Sequence, residues 1–332
     1  MTPAFKTIFT LFLKTLLCCT FAASLSLSYA QQTESSETLE EDTEEVLDNV
    51  REGLHTSVSA TAAWLDSFFG PTEFEADAYE DVYGSLTIAP QWDEYDGFEV
   101  DSSLRAKIIL PQAKRRFSAI IGRGDFDDFI NNQQTTRPTV IRRDNADEEW
   151  MVGLGFDPFV EAEHDLSFGA GFRGGLAFEP YVRARYRYET IVNERSELHF
   201  QTVGFWRDTD GFGIGQTIEH DFAISDQWFN KFWIRGTFAE RTEGVRWHAS
   251  DRVYYIYHPE RAIGGELWWY GETEAEVPLQ DYGAKLLHRA RVLREWFYLE
   301  SWVGLHWPRE VLHEQRKPRW LVGIELELQF GH

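Results

Sequence analysis

What most limits the fold of this chain is a period of two that runs from residue 79 to the end. In Trp320–Phe330 the even positions are Trp320, Val322, Ile324, Leu326, Leu328 and Phe330, whereas Glu325, Glu327 and Gln329 stand at odd positions. Because successive side chains of a strand point to opposite faces, such a segment has one apolar face and one charged face. The split recurs. Phe98, Val100, Leu104, Ala106, Ile108 and Leu110 oppose Glu99, Asp101, Ser103, Arg105 and Lys107. Val182, Ala184, Tyr186 and Tyr188 oppose Arg183, Arg185, Arg187 and Glu189. Phe232, Ile234 and Phe238 oppose Lys231, Trp233 and Arg235, and Phe297, Leu299, Val303 and Leu305 oppose Tyr298, Glu300, Trp302 and His306.

A soluble sandwich also alternates. Three features favour a closed barrel in a membrane. The polar face is dense in charge on strand after strand. The segments run about ten residues, the length a tilted spanning strand needs. Aromatics gather at segment ends: with an inward N-terminus, Trp150, Trp206, Trp307 and Trp320 fall at outer ends, and Trp228 and Phe330 at inner ends, which is where interfacial rings belong. The pattern predicts an all-β fold, a closed antiparallel transmembrane β-barrel of about 14 strands over 80–89, 98–110, 115–124, 148–157, 164–173, 180–189, 196–207, 211–223, 227–239, 244–257, 263–274, 281–291, 296–308 and 318–330. The weakest are 80–89 and 244–257, where Asp251 interrupts the apolar face; without one hairpin the count is twelve. Closure is required, since an open edge in lipid leaves backbone groups unpaired. Short turns are expected on the inner side, at Pro111–Lys114, Thr190–Arg195, Ile224–Asp226 and Val292–Glu295, and a long polar outer loop at Asp125–Asp147.

The start of the chain is different material. Residues 1–30 carry Lys6 and Lys14, an apolar run from Thr15 to Leu27, and the small residues Ser28 and Ala30 at the −3 and −1 positions of a cleavage site. This is the pattern of a secretory signal peptide, cleaved after Ala30. The run is too short to span about 30 Å of hydrocarbon as a helix. Both cysteines, Cys18 and Cys19, leave with it, so the mature chain is expected to hold no disulfide, no cysteine metal site and no thiol nucleophile. Leu17 is bulky where a lipoprotein signal requires a small residue. Residues 31–53 hold nine acids and one arginine, a composition that predicts a disordered acidic leader. In 54–70, Leu54, Val58, Ala62, Leu65 and Phe69 recur at helical spacing before Gly70-Pro71, predicting one amphipathic helix, a plug or cap at the periplasmic end. The barrel follows as the domain 79–332.

The formal net charge is −23, and −25 after cleavage, so the surface repels nucleic acid phosphates. A mean hydropathy of −0.41 argues against a bundle of membrane helices.

The whole of 79–332 resembles the single-chain β-barrels of the Gram-negative outer membrane, and in particular a group of functionally uncharacterised proteobacterial barrel proteins. The likeness is carried by "WLDSFFG" (64–70), "FEPYVRARYRY" (178–188), "FWRDTDGFG" (205–213) and "WFYLESWVGLHWPRE" (296–310). The final strand is similar to the C-terminal insertion signal of this class, though it ends two residues past the aromatic, at Gly331-His332. The resemblance implies an outer-membrane location, contact with outer-membrane lipid and lipopolysaccharide, and recognition of Trp320–Phe330 by the barrel assembly machinery.

By parity the lumen receives Arg105, Lys107, Arg183, Arg185, Arg187, Lys231, Arg235, Arg246, Arg252, Lys285, Arg289 and Arg291, together with Glu99, Asp101, Glu219, Asp221, Glu266, Glu300, Glu325 and Glu327. One reading is a charged pore wall for small polar or anionic solutes; the other is a cross-strand ion network that fills the inside. The row Arg183, Arg185, Arg187 cannot neutralise itself and needs acids on adjacent strands or an anionic ligand. A second class is a lipid hydrolase. His248-Ala249-Ser250 resembles the His-x-Ser dyad of outer-membrane phospholipase A, but Asp251-Arg252 follows where that family has Asn-Gly, and parity turns both residues inward. Asp208, Asp210 and His220 are the only nearby set for a barrel protease, and a turn explains the two aspartates better. A third class is a plugged structural barrel that binds a partner through 31–53 or 125–147. The ten histidines show no metal-ligand spacing near carboxylates, and Asp125, Asp127 and Asp128 are a weak calcium candidate. "GAGFRGG" (169–175) lies on a strand and precedes no helix, so it is no phosphate loop, and no cofactor is expected.

Overall fold

The computed structural model describes residues 82–110, 116–124, 149–160, 163–174 and 178–330. The expected signal peptide, acidic leader and amphipathic helix, the Pro111–Lys114 turn and the 125–147 loop lie outside these residues. Fourteen antiparallel strands form one closed barrel in which each strand pairs with its neighbours in sequence and β1 closes on β14. They are β1 (Val82–Asp93), β2 (Gly97–Ile109), β3 (Phe117–Gly124), β4 (Glu149–Val160), β5 (His164–Arg173), β6 (Glu179–Asn193) and β7 (Ser196–Arg207) in the first half. The second half holds β8 (Gly211–Ala223), β9 (Trp228–Ala239), β10 (Val245–His258), β11 (Arg261–Glu272), β12 (Asp281–Arg291), β13 (Phe297–His306) and β14 (Arg319–Phe330). Among the described residues no helix is long and apolar enough to cross a membrane.

The predicted strand order holds and the twelve-strand alternative falls away. The largest boundary shifts fall at two places. β1 runs to Asp93 rather than 89, straight through Pro90. A proline lacks the N–H that a ladder needs. Here the β1–β2 register is continuous through Pro90 and Val100, while the β1–β14 ladder skips from Ile88 to Gln91, so the missing donor falls on one side only. β6 runs to Asn193 instead of ending before Thr190, and a register shift at Ile191/Asn193 takes up the extra length.

The two rims differ. The rim holding the start of β1 and the end of β14 is joined by 194–195, 224–227, 259–260 and 292–296. The opposite rim carries longer connections at 273–280 and 307–318. These are called the turn rim and the loop rim. At the loop rim the β1–β2 turn is set by the Asp93 carboxylate, which accepts from the backbone N–H of Tyr95 at 2.5 Å. Gly97 then takes a φ of +97°, which glycine adopts without penalty. Partial burial, with Glu310 and Glu314 nearby, pushes the Tyr95 phenol up to about 12, so it stays neutral at the loop rim.

Register fixes which face each residue takes, and it agrees with the parity read from the sequence. On β12, Leu286 is 69% exposed while its neighbour Lys285 is 3% exposed. Phe98, Trp150, Phe212 and Trp320 are likewise exposed on the outside, whereas Arg185, Arg252, Glu266 and Glu300 are buried within. The burial is the reverse of a soluble protein's: aliphatics and aromatics face outward and ions face inward. Trp228, 45% exposed, sits at the turn rim as expected. Phe330 is also at that rim but buried, packed with Val82, Ile108, Leu110 and Leu328 where the barrel closes.

Candidate functional site

The lumen wall has two kinds of surface. On the first, β6 turns Arg183, Arg185 and Arg187 inward opposite Gly169, Ser167 and Asp165 of β5. Asp165 accepts from Arg185 at 3.1 Å and lies 3.6 Å from Arg187, whose Nε is also 3.3 Å from Glu189. The sequence required acids on adjacent strands or an anionic ligand; the register supplies Asp165 on β5, and Glu189 lies farther along β6 itself. Arg183 lies flat over Gly169, where a Cβ would overlap its Cγ and Nε. Three strands along, Arg235 of β9 stacks on Trp233, with its guanidinium 5.0 Å from the ring centroid. At the level between Arg183 on β6 and Arg235 on β9 the inward residues are uncharged: Gln201, Val203 and Phe205 on β7, and Gly213, Gly215 and Thr217 on β8, with the Phe205 ring lying over Gly213. A Cβ added at Gly215 would make only ordinary contacts, the nearest being Thr237 Oγ1 at 3.7 Å. An uncharged strip therefore runs along β7 and β8, flanked by guanidiniums on β6 and β9. Toward the loop rim Arg173 pairs with Glu179 at 2.6 Å, and Arg207 pairs with Asp210.

The second surface, β10 to β14, is packed. Glu266 is held by Lys285 at 2.8 Å and by Arg252 Nε at 3.0 Å, all three side chains being almost fully buried. Trp268 and Trp302 flank the Lys285 ammonium at 6.0 and 5.5 Å. They belong to an apolar cluster with Ala89, Leu287 and Leu321. Nearer the turn rim Arg289 joins Glu327 at 2.5 Å and Glu300 at 3.4 Å. Nearer the loop rim His306 lies between two carboxylates, Asp93 at 2.9 Å and Asp281 at 3.1 Å, and Trp268 donates to Asp281 at 3.1 Å. Large inward side chains lie over glycines of nearby strands, as Trp268 does on Gly283, Trp302 on Gly323 and Tyr181 on Gly153 and Gly171.

The remaining predicted residues also face the lumen. Lys107 reaches Asp157 of β4 at 3.3 Å, and Arg291 meets Glu260 at the turn rim at 3.2 Å. Arg105 and Arg246, and Glu99, Asp101 and Glu325, take inward register positions. Lys231 joins Glu219 at 2.5 Å and Asp221 at 3.4 Å. β10 turns His248 and Ser250 inward. The His248 ring meets Trp233 edge-on at 4.6 Å, and Ser250 is buried opposite Trp233 and Trp268, so the residues flanking the dyad that face outward are Trp247, Ala249 and Asp251. His220 takes an outward position and bonds Ser196 at 2.7 Å. It lies nine residues along β8 from Gly211, roughly 30 Å of strand from the 208–210 turn, which separates the three residues of the protease set.

Sequence spacing missed one cluster. β6, β7 and β8 bring Glu189, Glu197, Glu219 and Asp221 around His199, with donor atoms of Glu189, Glu197 and His199, and of His199, Glu219 and Asp221, within 4.8 Å of one another. Lys231 and Arg187 already hold three of the four carboxylates. Asp125, Asp127 and Asp128 lie outside the described residues.

No protein-family profile matches the sequence. None of the curated proteins matches it either. Solved structures do. The chain is similar to the KdgM porin, with 8% identity and a TM-score of 0.33 over 73% of this chain and 97% of that one. It is similar to a loop-deletion mutant of OmpT, an outer membrane protein of Vibrio cholerae, with 11% identity and a TM-score of 0.43 over 75% and 98%. It is also similar to Pseudomonas putida OprB, with 9% identity and a TM-score of 0.43 over 75% and 92%.

Proposed function

We propose that this protein is an outer-membrane barrel whose lumen passes small anionic solutes along the β6–β9 wall. The location rests on the reversed burial: an exterior of exposed Leu, Val, Phe and Trp on a closed sheet is stable only where hydrocarbon replaces water. The turn rim then faces the periplasm and the loop rim faces outward. The solute class rests on one observation, the uncharged strip of Val203, Gly215 and Thr217 with Arg183 and Arg185 on one side and Arg235 on the other. Guanidiniums are always charged and offer a planar donor fork suited to carboxylates and phosphates. At mid-height the lumen side chains are largely buried, so the pathway is narrow and a small conductance is expected.

Planar-bilayer recording tests the reading. In a salt gradient the reversal potential is expected to show preference for the anion. Replacing Arg183 and Arg235 together by glutamine is expected to lower the anion-to-cation permeability ratio several-fold, whereas Arg291→Gln at the rim changes it little. A chain that gives no conductance, with or without residues 31–70, is not a pore. The packed β10–β14 wall favours a second reading in that case, a closed structural barrel. A lipid hydrolase at Ser250 is tested separately, since phospholipid hydrolysis untouched by Ser250→Ala removes it.

A further inference from the structure

The outward face of the barrel is not uniformly apolar. At mid-height on β7 and β8, Thr202 and Gln216 stand opposite each other and both point outward. Thr202 donates to Gln216 Oε1 at 2.6 Å. Gln216 is exposed, and its amide has two N–H donors, one of which makes a 3.4 Å contact with the Thr217 carbonyl. The other has no acceptor among the described residues. Lipid tails offer none either, and an unsatisfied donor in hydrocarbon costs several kcal/mol. The surroundings form a notch rather than a ridge. Gly236 pairs with Gln216 on the far side, Gly204 and Ala184 stand one outward position toward the loop rim, and a Cβ added at Gly204 meets no atom within 4 Å. Nearby, on the same sector, Asp251 of β10 also faces outward and accepts from Asn230 at 2.6 Å. A carboxyl and a carboxamide on one lipid-facing sector, beside backbone left bare by glycine, fit a surface that protein covers.

We propose that this sector, centred on Gln216, is where a second copy of the chain docks within the membrane. The inference rests on the proposed lipid-facing exterior. The occupant is a second copy because a carboxamide is self-complementary. Two barrels related by a two-fold axis along the membrane normal bring a residue on that axis against itself, and each Gln216 then gives its spare N–H to the other's oxygen. The Gly204 notch lets the walls approach closely enough for that bond.

The test is cysteine cross-linking in native membranes, in a background with Cys18 and Cys19 changed to serine. Ile214→Cys and Ile218→Cys flank Gln216 along β8, and Leu286→Cys on β12 is equally outward on another wall. Oxidation is expected to give a covalent dimer at Ile214→Cys or Ile218→Cys at least tenfold above the Leu286→Cys level. Adding Gln216→Leu is expected to cut that yield severalfold while the heat-dependent gel mobility of the folded barrel stays unchanged. Equal yields at all three sites, no dimer at either β8 site, a product with the mass of a different protein, or a yield indifferent to Gln216→Leu overturns the proposal. Absence of the protein from the membrane fraction overturns the location itself, a separate failure.

Discussion

Glu266→Ala is expected to destabilise the barrel by about 3–5 kcal/mol, read as a shift of the urea midpoint of the refolded protein by tryptophan fluorescence. The substitution removes the carboxylate that Lys285 and Arg252 share and leaves two buried cations, one on each side of β11, with that compensation gone. The size of the loss depends on water. If the lumen at this level were filled with bulk solvent, the pair would behave as an exposed one, worth about 0–1 kcal/mol. Exposures of 0–3% for the three side chains, and two tryptophans against the ammonium, point to the larger figure. A charge-free trio, Arg252→Met with Glu266→Leu and Lys285→Met, is expected to recover most of the lost stability, since the cost comes from stranding charges rather than from losing a net attraction. A midpoint for Glu266→Ala within about 0.5 kcal/mol of the natural chain would show a wet lumen here and move the conduction pathway to this wall.

The alternation in the chain carried the barrel, the strand number and the inward set, because a strand's two faces are separated by one residue and parity survives small errors in strand ends. Arg183, Arg185, Arg235, Lys285, Arg289, Glu300 and Glu327 were assigned to the lumen on that basis alone, and the register places them there. What parity cannot supply is which residue meets which. Glu266 finds Lys285 and Arg252 because the β10–β11 and β11–β12 turns set the register, and nothing in three separate strands announces the trio. The cluster around His199 was missed for the same reason. Asp251 looked like a flaw in the apolar face of β10; its answer, Asn230, lies on β9. Pro90 looked like a strand end, and only the pairing shows that its missing N–H falls on one ladder. The inward glycines of β4 and β5 leave room for Tyr181 and Arg183 to lie against the wall, a role that parity does not announce.

That arrangement makes the glycines themselves a target, and Gly283 is the sharpest case. A Cβ there would overlap the Trp268 ring and approach the Leu305 carbonyl oxygen at 2.7 Å. Trp268 has little freedom to move aside: it is 1% exposed, its Nε1 is bonded to Asp281, and Lys285 lies beyond it. Gly283→Ala is therefore expected to cost about 1–3 kcal/mol by overpacking, and Trp268→Ala about 3–5 kcal/mol by emptying the cluster it fills. The double variant separates the two contacts of the new methyl group. Trimming the ring removes the clash with Trp268, so the two losses should fall short of additivity by about 1 kcal/mol. The approach to the Leu305 carbonyl is a backbone contact that trimming cannot relieve, so Gly283→Ala should still lower stability in the Trp268→Ala background. Strict additivity in urea unfolding would mean that Trp268 does not rest on Gly283, and that the packed wall of β10–β14 is looser than its burial indicates.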